Sequence, residues 1–301
     1  MSHTAHYRIA GFGIELTLSE GDDFARLLPH AEGFRCEALD EEPILRLTTE
    51  EPLTSDTEEP LKLISEDCND LGRVRLFATK EGYRIEQSYL DSEVCHLMAL
   101  NGELNCATAR MNRQDPRYSE SLSSLLRIAY SLSILQHEAV AIHASAICHQ
   151  GEALLFLGKS GTGKSTHARL WVTHGEGCTL LNDDNPTLRW TNEGLKAYGT
   201  PWSGKTHCYR NEGYPVRGIA RLSQAAENRF RLLDEREALL ALMPSCTLLR
   251  ENEAIEDRFY DLMERILTTT PVAHLACRAD QEAYRCCRAG FYPDTTPETE
   301  E

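Results

Sequence analysis

A glycine-rich stretch near the middle of the chain carries residue types suited to binding phosphate. The sequence GKSGTGKS, which starts at Gly158, fits the pattern G-x-x-x-x-G-K-[ST] at every fixed position. In this pattern, glycines bring backbone N–H groups to the phosphates, the lysine bridges the β and γ oxygens, and the serine hydroxyl reaches Mg²⁺. We therefore expect a nucleotide-binding site formed by Gly158, Lys159, Ser160, Gly161, Thr162, Gly163, Lys164, Ser165 and Thr166.

Two adjacent carboxylates follow at a short distance along the chain. Asp183 and Asp184 close the segment CTLLNDD, nineteen residues after Lys164. Paired carboxylates at the end of a strand can divide two tasks, since one can hold the metal while the other accepts a proton from an attacking hydroxyl. The pair is therefore predicted to take part in phosphate chemistry.

The elements around these residues are predicted from their apolar patterns. ALLFLG before the glycine-rich stretch indicates a fully apolar strand, and a helix is expected after it, to about His174. CTLLNDD indicates a further strand, AVAIHASAIC an earlier one, and PTLRW with LKAYG a strand, turn and strand. The predicted fold class is α/β with a mixed sheet around the glycine-rich stretch.

The first part of the chain is predicted to be rich in strands. FGIELTL alternates apolar and polar residues, and two hairpins are expected around the sequences KEG and NGE. Residues 50–62 are acidic and rich in proline, which is typical of a loop, and leucines at helical spacing after residue 121 predict a core-packing helix. We expect an α+β N-terminal domain at 1–117, a catalytic domain at 118–290 and a disordered tail at 291–301.

The composition excludes several classes of partner and location. The net charge of −16 argues against binding to nucleic acid or to an anionic membrane surface. The sequence has no apolar run long enough to span a bilayer, and its start lacks the pattern of a signal peptide. Its eleven cysteines are scattered, as in a reducing compartment. We therefore expect a cytoplasmic protein, and homo-oligomerisation is left open.

The segment 198–215 is the candidate for recognising a second substrate. It combines glycines and prolines with aromatic and basic side chains, which is typical of loops that bind ligands. The alternative is a structured surface loop with Trp202 in the core, and Arg217 beyond it could equally face solvent at a sheet edge. The residues expected to bind the substrate are Trp202, Ser203, Gly204, Lys205, Arg210 and Arg217.

Four segments of the chain resemble the HPr kinase/phosphorylase family, which shares its nucleotide fold with the phosphoenolpyruvate carboxykinases. These segments are IHASAI, GKSGTGKST, LLNDDNP and PVRGIARL. The resemblance covers residues 139–225 well and extends loosely to 288, and the first 115 residues share nothing with the family. It implies a P-loop nucleotide-binding domain of the HPr kinase/phosphoenolpyruvate carboxykinase type.

The resemblance also implies roles for individual residues. Asp183 would be the general base, Asp184 and Ser165 would serve the metal, and His143 would help to orient the phosphates near Lys164. The sequence departs from the family pattern at Pro215, where the family has an acidic residue. This departure puts a phosphorylase reaction in doubt, and Glu212 is a candidate replacement for the missing metal ligand.

The sequence thus predicts an ATP- and Mg²⁺-dependent phosphotransferase. Its acceptor would be a hydroxyl group, most simply a serine-like alcohol on a protein, a peptide or a small molecule. One alternative is a nucleotide-gated regulatory protein with slow ATPase activity, and carboxykinase chemistry is a further one. The identity of the acceptor and the choice between ATP and GTP stay open at this stage.

Overall fold

The chain forms two compact units in the computed structural model, which describes residues 3–50, 62–69 and 72–293. The first unit combines Met1–His137 with Leu248–Glu256, and the second combines Glu138–Thr247 with Asp257–Glu301. Each unit is built on its own sheet. Within the described ranges, no helix is both long and apolar enough to cross a membrane.

The first unit follows from the alternation of apolar residues along its strands. In Phe12–Leu18, for example, every second side chain is buried. The elements of this unit are β1 (His3–Ile9), β2 (Phe12–Leu18), α1 (Phe24–Leu27), β3 (Arg35–Cys36), β4 (Leu45–Glu50), β5 (Lys62–Asn69), β6 (Gly72–Ala78), β7 (Gly82–Ser88), β8 (Cys95–Asn101), β9 (Cys106–Arg110) and α2 (Tyr118–Ser133).

Over the described residues, the sheet of the first unit has nine strands in the order β3-β1-β2-β4-β9-β8-β7-β6-β5. Strands β2 and β4 are parallel, as are β4 and β9, and the other neighbours are antiparallel. The two predicted hairpins are confirmed as β6–β7 and β8–β9. One face of the sheet is covered by α2, whose leucines are buried as their spacing predicted.

The position of α2 corrects the predicted domain boundary. We expected the second domain to begin at residue 118, whereas the structure places α2 in the first unit. The reason is packing, because α2 contacts β4, β7, β8 and β9 of that unit. The segment Leu248–Glu256 also joins the first unit, although its sequence position lies within the expected catalytic domain.

Two expectations fall wholly or partly outside the described residues. The acidic loop predicted at 50–62 corresponds mainly to 51–61, which the structure does not describe. The predicted tail at 291–301 overlaps the described chain only at its start, where a helix continues to Phe291.

The second unit begins at residue 138 and contains the glycine-rich stretch. The elements from this residue onward are β10 (Ala139–Ala141), β11 (Ala144–His149), β12 (Glu152–Leu157), α3 (Lys164–His174), β13 (Thr179–Asp184), β14 (Thr187–Thr191), β15 (Gly194–Tyr198), β16 (Gly213–Gln224), β17 (Arg229–Leu232), α4 (Glu235–Leu242), α5 (Glu253–Thr269), β18 (Val272–Cys277) and α6 (Gln281–Phe291).

The sheet of the second unit is mixed, as the sequence predicted. Its main path runs β10-β14-β15-β16-β12-β11-β13, while β18 pairs with β16 and β17 pairs with β18. Strands β12 and β16 are parallel, as are β16 and β18, and the remaining pairs are antiparallel. A core containing Phe156, Trp171 and Leu275 packs α3 and α6 against this sheet. Fold class α/β with mixed sheets is therefore confirmed.

The segment AVAIHASAIC forms two strands rather than the single strand that its apolar pattern predicted. Strand β10 pairs with β14, whereas β11 pairs with β12 and β13, so the chain changes neighbours between them. At this break, Ile142 forms an isolated bridge with Cys246. His143 therefore lies between two strands, where its side chain is half exposed instead of being held on a sheet face.

Candidate active site

The glycine-rich loop joins the end of β12 to the start of α3. Gly161 and Gly163 have φ angles of 78° and 110°, a region that residues with side chains rarely adopt. A Cβ atom added at either glycine would meet nothing within 4 Å, so both glycines border open space. The N-terminus of α3, with the positive end of its dipole, follows immediately. This combination suits the close approach of an anion.

Lys164 is held in place at the start of α3. Its Nζ atom donates a hydrogen bond to the carbonyl oxygen of Gly158 at 3.0 Å and lies 2.8 Å from Nε2 of His143. Burial lowers the pKa of Lys164, although Asp184 and Asp183 oppose that shift by favouring the charged form. The cation thus belongs to a group of side chains that includes both aspartates.

His143 connects this lysine to the second aspartate. Its Nδ1 atom lies 3.0 Å from Oδ1 of Asp184, and its backbone N–H donates to the carbonyl oxygen of Ser245 at 2.6 Å. Because an ammonium group can only donate, Nε2 accepts from Lys164 and the ring proton sits on Nδ1, where it faces the carboxylate. Lys164, His143 and Asp184 therefore form a continuous hydrogen-bonded chain.

Asp183 occupies a different environment from its neighbour. It is only 5% exposed, and its Oδ1 atom accepts a hydrogen bond of 2.6 Å from the hydroxyl of Ser145. The register of β11 and β13 sets this contact, because Ser145 lies directly opposite Asp183. Its other oxygen, Oδ2, is buried and has no hydrogen-bond partner. A buried carboxylate oxygen of this kind is costly unless a cation or a hydroxyl reaches it.

Asn182, which the sequence analysis did not single out, fixes the end of β13. Its Oδ1 atom accepts from the backbone N–H groups of Asp184 and Asn185 at 3.0 and 2.9 Å. Its Nδ2 group donates to the carbonyl oxygens of Thr200 and Trp202 at 3.3 and 3.0 Å. One buried amide therefore positions the aspartates and the segment that follows β15. An asparagine directly after the run CTLL was the signal available in the sequence.

The structure brings only part of the predicted substrate-binding segment to the aspartates. Ser203 forms a bridge with Asp184, and the N–H of Gly204 donates to the carbonyl oxygen of Asp183 at 3.2 Å. Lys205 follows at an exposed position. Trp202 is 6% exposed, which contradicts its predicted role in substrate contact and favours the alternative in which it belongs to the core.

Arg210 and Glu212 lie just before β16, in a small group of polar side chains. Arg210 pairs with Glu212 at 3.5 Å, and the hydroxyl of Tyr214 donates to the same carboxylate at 2.9 Å. Both charges act on the pKa of Cys148, which lies opposite Thr179 at the far end of β13. Arg210 is thus engaged by Glu212, and the roles of Arg210 in substrate binding and Glu212 in metal binding stay predictions.

Arg217 is also placed away from the site, contrary to expectation. Its guanidinium donates two hydrogen bonds, of 3.0 and 2.8 Å, to the carbonyl oxygen of Phe291 and lies over the ring of Tyr292. Its neighbour Val216 pairs with Ala153, at the end of β12 opposite to the glycine-rich loop. Arg217 thus anchors the end of α6 instead of reaching the phosphate region.

Arg221 is a cation that the sequence analysis missed. It lies opposite Leu157, the last residue of β12 before the loop. Its Nη1 group donates to the carbonyl oxygen of Ala241 and to the hydroxyl of Ser245, both at 3.0 Å. Arg221 also lowers the pKa of Lys164, so the two cations act on each other. A single arginine within the apolar strand GIARL was the available signal.

The remaining residues of the predicted nucleotide site lie in the loop and the first turn of α3. Lys159, Ser160, Gly161 and Thr166 are exposed, Thr162, Gly163, Lys164 and Ser165 are half-buried, and Gly158 is buried. Throughout 3–50, 62–69 and 72–293, no group of three or more His, Cys, Asp or Glu side chains could hold a metal ion alone. Magnesium in phosphate sites takes few protein ligands and completes its shell with phosphate and water. The partly exposed carboxylate of Asp184 and the hydroxyl of the half-buried Ser165 are oxygen donors that fit that requirement.

Comparisons with known proteins give little further information. No family model matches the chain, and no curated protein matches it. Among solved structures, the chain is similar to the Hpr(Ser) kinase/phosphatase from Coxiella burnetii, with 13% sequence identity and a TM-score of 0.29. That match covers 49% of this chain and 95% of the other. A similarity of this size carries no argument about fold or function.

Proposed function

We propose that this protein is an ATP- and Mg²⁺-dependent phosphotransferase with a P-loop nucleotide site. Its acceptor is a hydroxyl group, most simply a serine-like alcohol on a protein, a peptide or a small molecule. The observation that supports the proposal is the convergence of Lys164, His143 and the two aspartates beside the glycine-rich loop. Lys164 is a phosphate-binding cation, Asp183 a candidate base and Asp184 a candidate metal ligand, and together they suit phosphoryl transfer.

The division of work between the aspartates rests on their different surroundings. Asp184 is partly exposed and already engaged by His143, so it suits a metal together with Ser165. Asp183 is buried, and Ser145 holds one of its oxygens. Its unpartnered Oδ2 is the atom that would accept the proton of the attacking hydroxyl.

Charge neutralisation is the main contribution expected from the other groups. When bound, Mg²⁺ would neutralise charge on the phosphates. Lys164 would hold the β and γ phosphate oxygens over the loop, and His143 would keep the lysine in position. Arg221 adds a second positive charge near the loop. Positioning and preorganised charge of this kind supply most of the rate enhancement in phosphoryl transfer.

The test is transfer from ATP labelled at the γ-phosphate, with Mg²⁺, to cell extract fractions and to small alcohols. Wild-type protein is compared with Asp183→Asn, and Glu193→Gln serves as a control because it removes the charge of an exposed carboxylate on the turn between β14 and β15. We expect labelled acceptor with wild-type protein and with the control, and none with Asp183→Asn.

The outcomes separate the proposed function from its rival. ATP hydrolysis that is slow, needs no acceptor and survives Asp183→Asn would favour the nucleotide-gated regulatory protein. Failure of the wild-type protein to bind ATP by calorimetry would overturn both.

A further inference from the structure

A pocket of about 330 Å³ lies beside the glycine-rich loop, on the side of α3 and the ends of β16 and β18. Its volume falls within the range of roughly 300–1,000 Å³ that is usual for small-molecule sites. The loop itself forms one wall through Gly161, Thr162 and Gly163. The side chain of Gln224, which also lines the pocket, donates to the carbonyl oxygen of Gly161 at 3.3 Å. The pocket is therefore continuous with the predicted phosphate site.

The walls of this pocket combine apolar residues with polar ones, among them Thr166, Arg278 and a buried histidine. Leu170 and Leu222 provide apolar surface, and His167 of α3 also lines the pocket. His167 is only 2% exposed, so its ring is almost entirely removed from solvent.

The hydrogen bonds of His167 determine which ring nitrogen carries the proton. The indole N–H of Trp171, which can only donate, lies 3.3 Å from Nε2 of His167. Nε2 is therefore the acceptor, and the proton of the neutral ring sits on Nδ1. That Nδ1 atom is buried and has no hydrogen-bond partner. A residue of the pocket lining thus carries a buried N–H donor, and the neighbouring indole fixes its tautomer.

A buried donor without a partner is costly and is usually satisfied by water or by a ligand. The occupant of this pocket must satisfy three conditions: it is continuous with a phosphate group in the loop, it packs against the apolar surface of Leu170 and Leu222, and it offers a hydrogen-bond acceptor. A nucleoside attached to the phosphates meets all three, because its base has flat apolar faces and ring nitrogens that accept. The hydroxyl acceptor is instead expected on the other side of the loop, beside Asp183, so it is not the expected occupant of this pocket.

We infer that this pocket binds the nucleoside of the nucleotide and that the Nδ1–H of His167 donates to an acceptor atom of that nucleoside. The inference rests on the proposed function, because it requires that phosphates occupy the glycine-rich loop. Helix α3 would then have two tasks, because Lys164 at its start would hold the phosphates and His167, one turn later, would hold the nucleoside.

The test separates nucleoside binding from phosphate binding by using two ligands. ATP contains both parts, whereas inorganic tripolyphosphate contains only the phosphates. Ala225 lines the pocket and is exposed, so Ala225→Trp fills the pocket mouth without disturbing the core. Ala226, the next residue, is also exposed but is not part of the lining, and Ala226→Trp is the matched control.

We expect Ala225→Trp to weaken ATP binding at least tenfold in calorimetry while tripolyphosphate affinity stays within about twofold, and Ala226→Trp to change neither. His167→Phe keeps the ring but removes the donor, and it should also weaken ATP binding selectively, with a thermal unfolding curve as the check on folding. The pocket assignment would be wrong if Ala225→Trp bound both ligands normally, or lost both equally. If the wild-type protein bound neither ligand, the proposed function itself would fail.

Discussion

Each unit of the protein contains a histidine–aspartate pair, and the two pairs differ in nearly everything except their chemistry. In the first unit, Nε2 of His96 lies 2.8 Å from Oδ2 of Asp115, with the side chains 0% and 5% exposed. In the second unit, Nδ1 of His143 lies 3.0 Å from Oδ1 of Asp184, with the side chains 49% and 30% exposed. Both are short contacts, so distance alone does not distinguish a structural pair from a functional one.

The difference lies in what the remaining atoms contact. Nδ1 of His96 accepts the backbone N–H of Asn112, and Asp115 also accepts the N–H of Arg117. Burial alone would raise the pKa of Asp115, but the hydrogen bonds from Arg117 and His96 lower it overall. Neighbouring backbone N–H groups thus occupy the remaining acceptor atoms of this pair. The second nitrogen of His143 instead contacts Lys164, at the start of a helix beside an open loop. A pair open on one side to solvent and to a cation is the one suited to chemistry.

The largest expected effect on phosphoryl transfer is at Asp183, the neighbour of Asp184 in the exposed pair of His143 and Asp184. Asp183→Asn keeps an oxygen for the hydroxyl of Ser145 but cannot take up a proton, so transfer should fall about 1,000-fold. Rapid-quench measurement of labelled product checks this, with ATP affinity measured in parallel. Unchanged transfer would remove Asp183 from the reaction, and a matching loss of ATP affinity would assign it to nucleotide binding instead.

Lys164→Ala should reduce transfer by about 100-fold or more, because one cation on the developing phosphate charge is lost. The variant also removes the contact between Lys164 and His143, so the pair of His143 and Asp184 loses its cationic neighbour. Lys196→Ala, on the hairpin strand β15, is the matched control and should retain activity. Equal activity of the two variants would show that the loop is not the active site.

A pH prediction concerns His167, a histidine without a carboxylate partner. Its pKa is about 4 in the folded protein against an ordinary value of 6.5, so the unfolded chain binds its proton first as the pH falls. The stabilisation is complete above about pH 6.5 and decreases towards pH 4, by about 3 kcal/mol in total. All three tryptophans lie in the second unit, at 171, 190 and 202, so their fluorescence during urea unfolding reports on that unit. His167→Phe should lose less stability over this range; an identical pH dependence would contradict the buried neutral ring.

The smallest expected effects are on stability, and they compare the buried pair of His96 and Asp115 directly with the exposed pair of His143 and Asp184. Asp115→Asn should destabilise the first unit by about 2 kcal/mol, since it weakens a buried charged hydrogen bond. Asp184→Asn should change the stability of the second unit by about 0.5 kcal/mol or less, because that pair is solvated. Hydrogen exchange of peptides around each residue measures both effects. A larger loss at Asp184 would show that the second pair is structural too.

Much of the second unit could be predicted because its signals are local. The glycine-rich stretch, the apolar strand before it and the aspartates after it lie within a short part of the chain, and the structure has them in β12, α3 and β13. The break at His143 could not be predicted, since it depends on Ser245 and Cys246, which are distant in sequence.

The errors in the predicted segment 198–215 have a similar physical origin. Residue type and spacing indicated a cluster of cations and aromatic residues, but the direction of each side chain depends on tertiary contacts. Trp202 turns into the core, and Arg210 turns towards Glu212. Arg221 was missed for the converse reason, because its position beside the loop follows from the parallel pairing of β12 and β16.

The close approach of Gly204 to Asp183 limits how this protein could be re-engineered. A Cβ atom at position 204 would lie 2.8 Å from the carbonyl oxygen of Asp183, so any larger residue there would move the strand that carries Asp183. If the proposed transfer reaction is correct, variation intended to alter acceptor preference cannot begin at this glycine without also displacing Asp183. A directed-evolution library should keep Gly204 fixed and vary the exposed positions from Lys205 onward, where a new side chain can be accommodated without displacing Asp183.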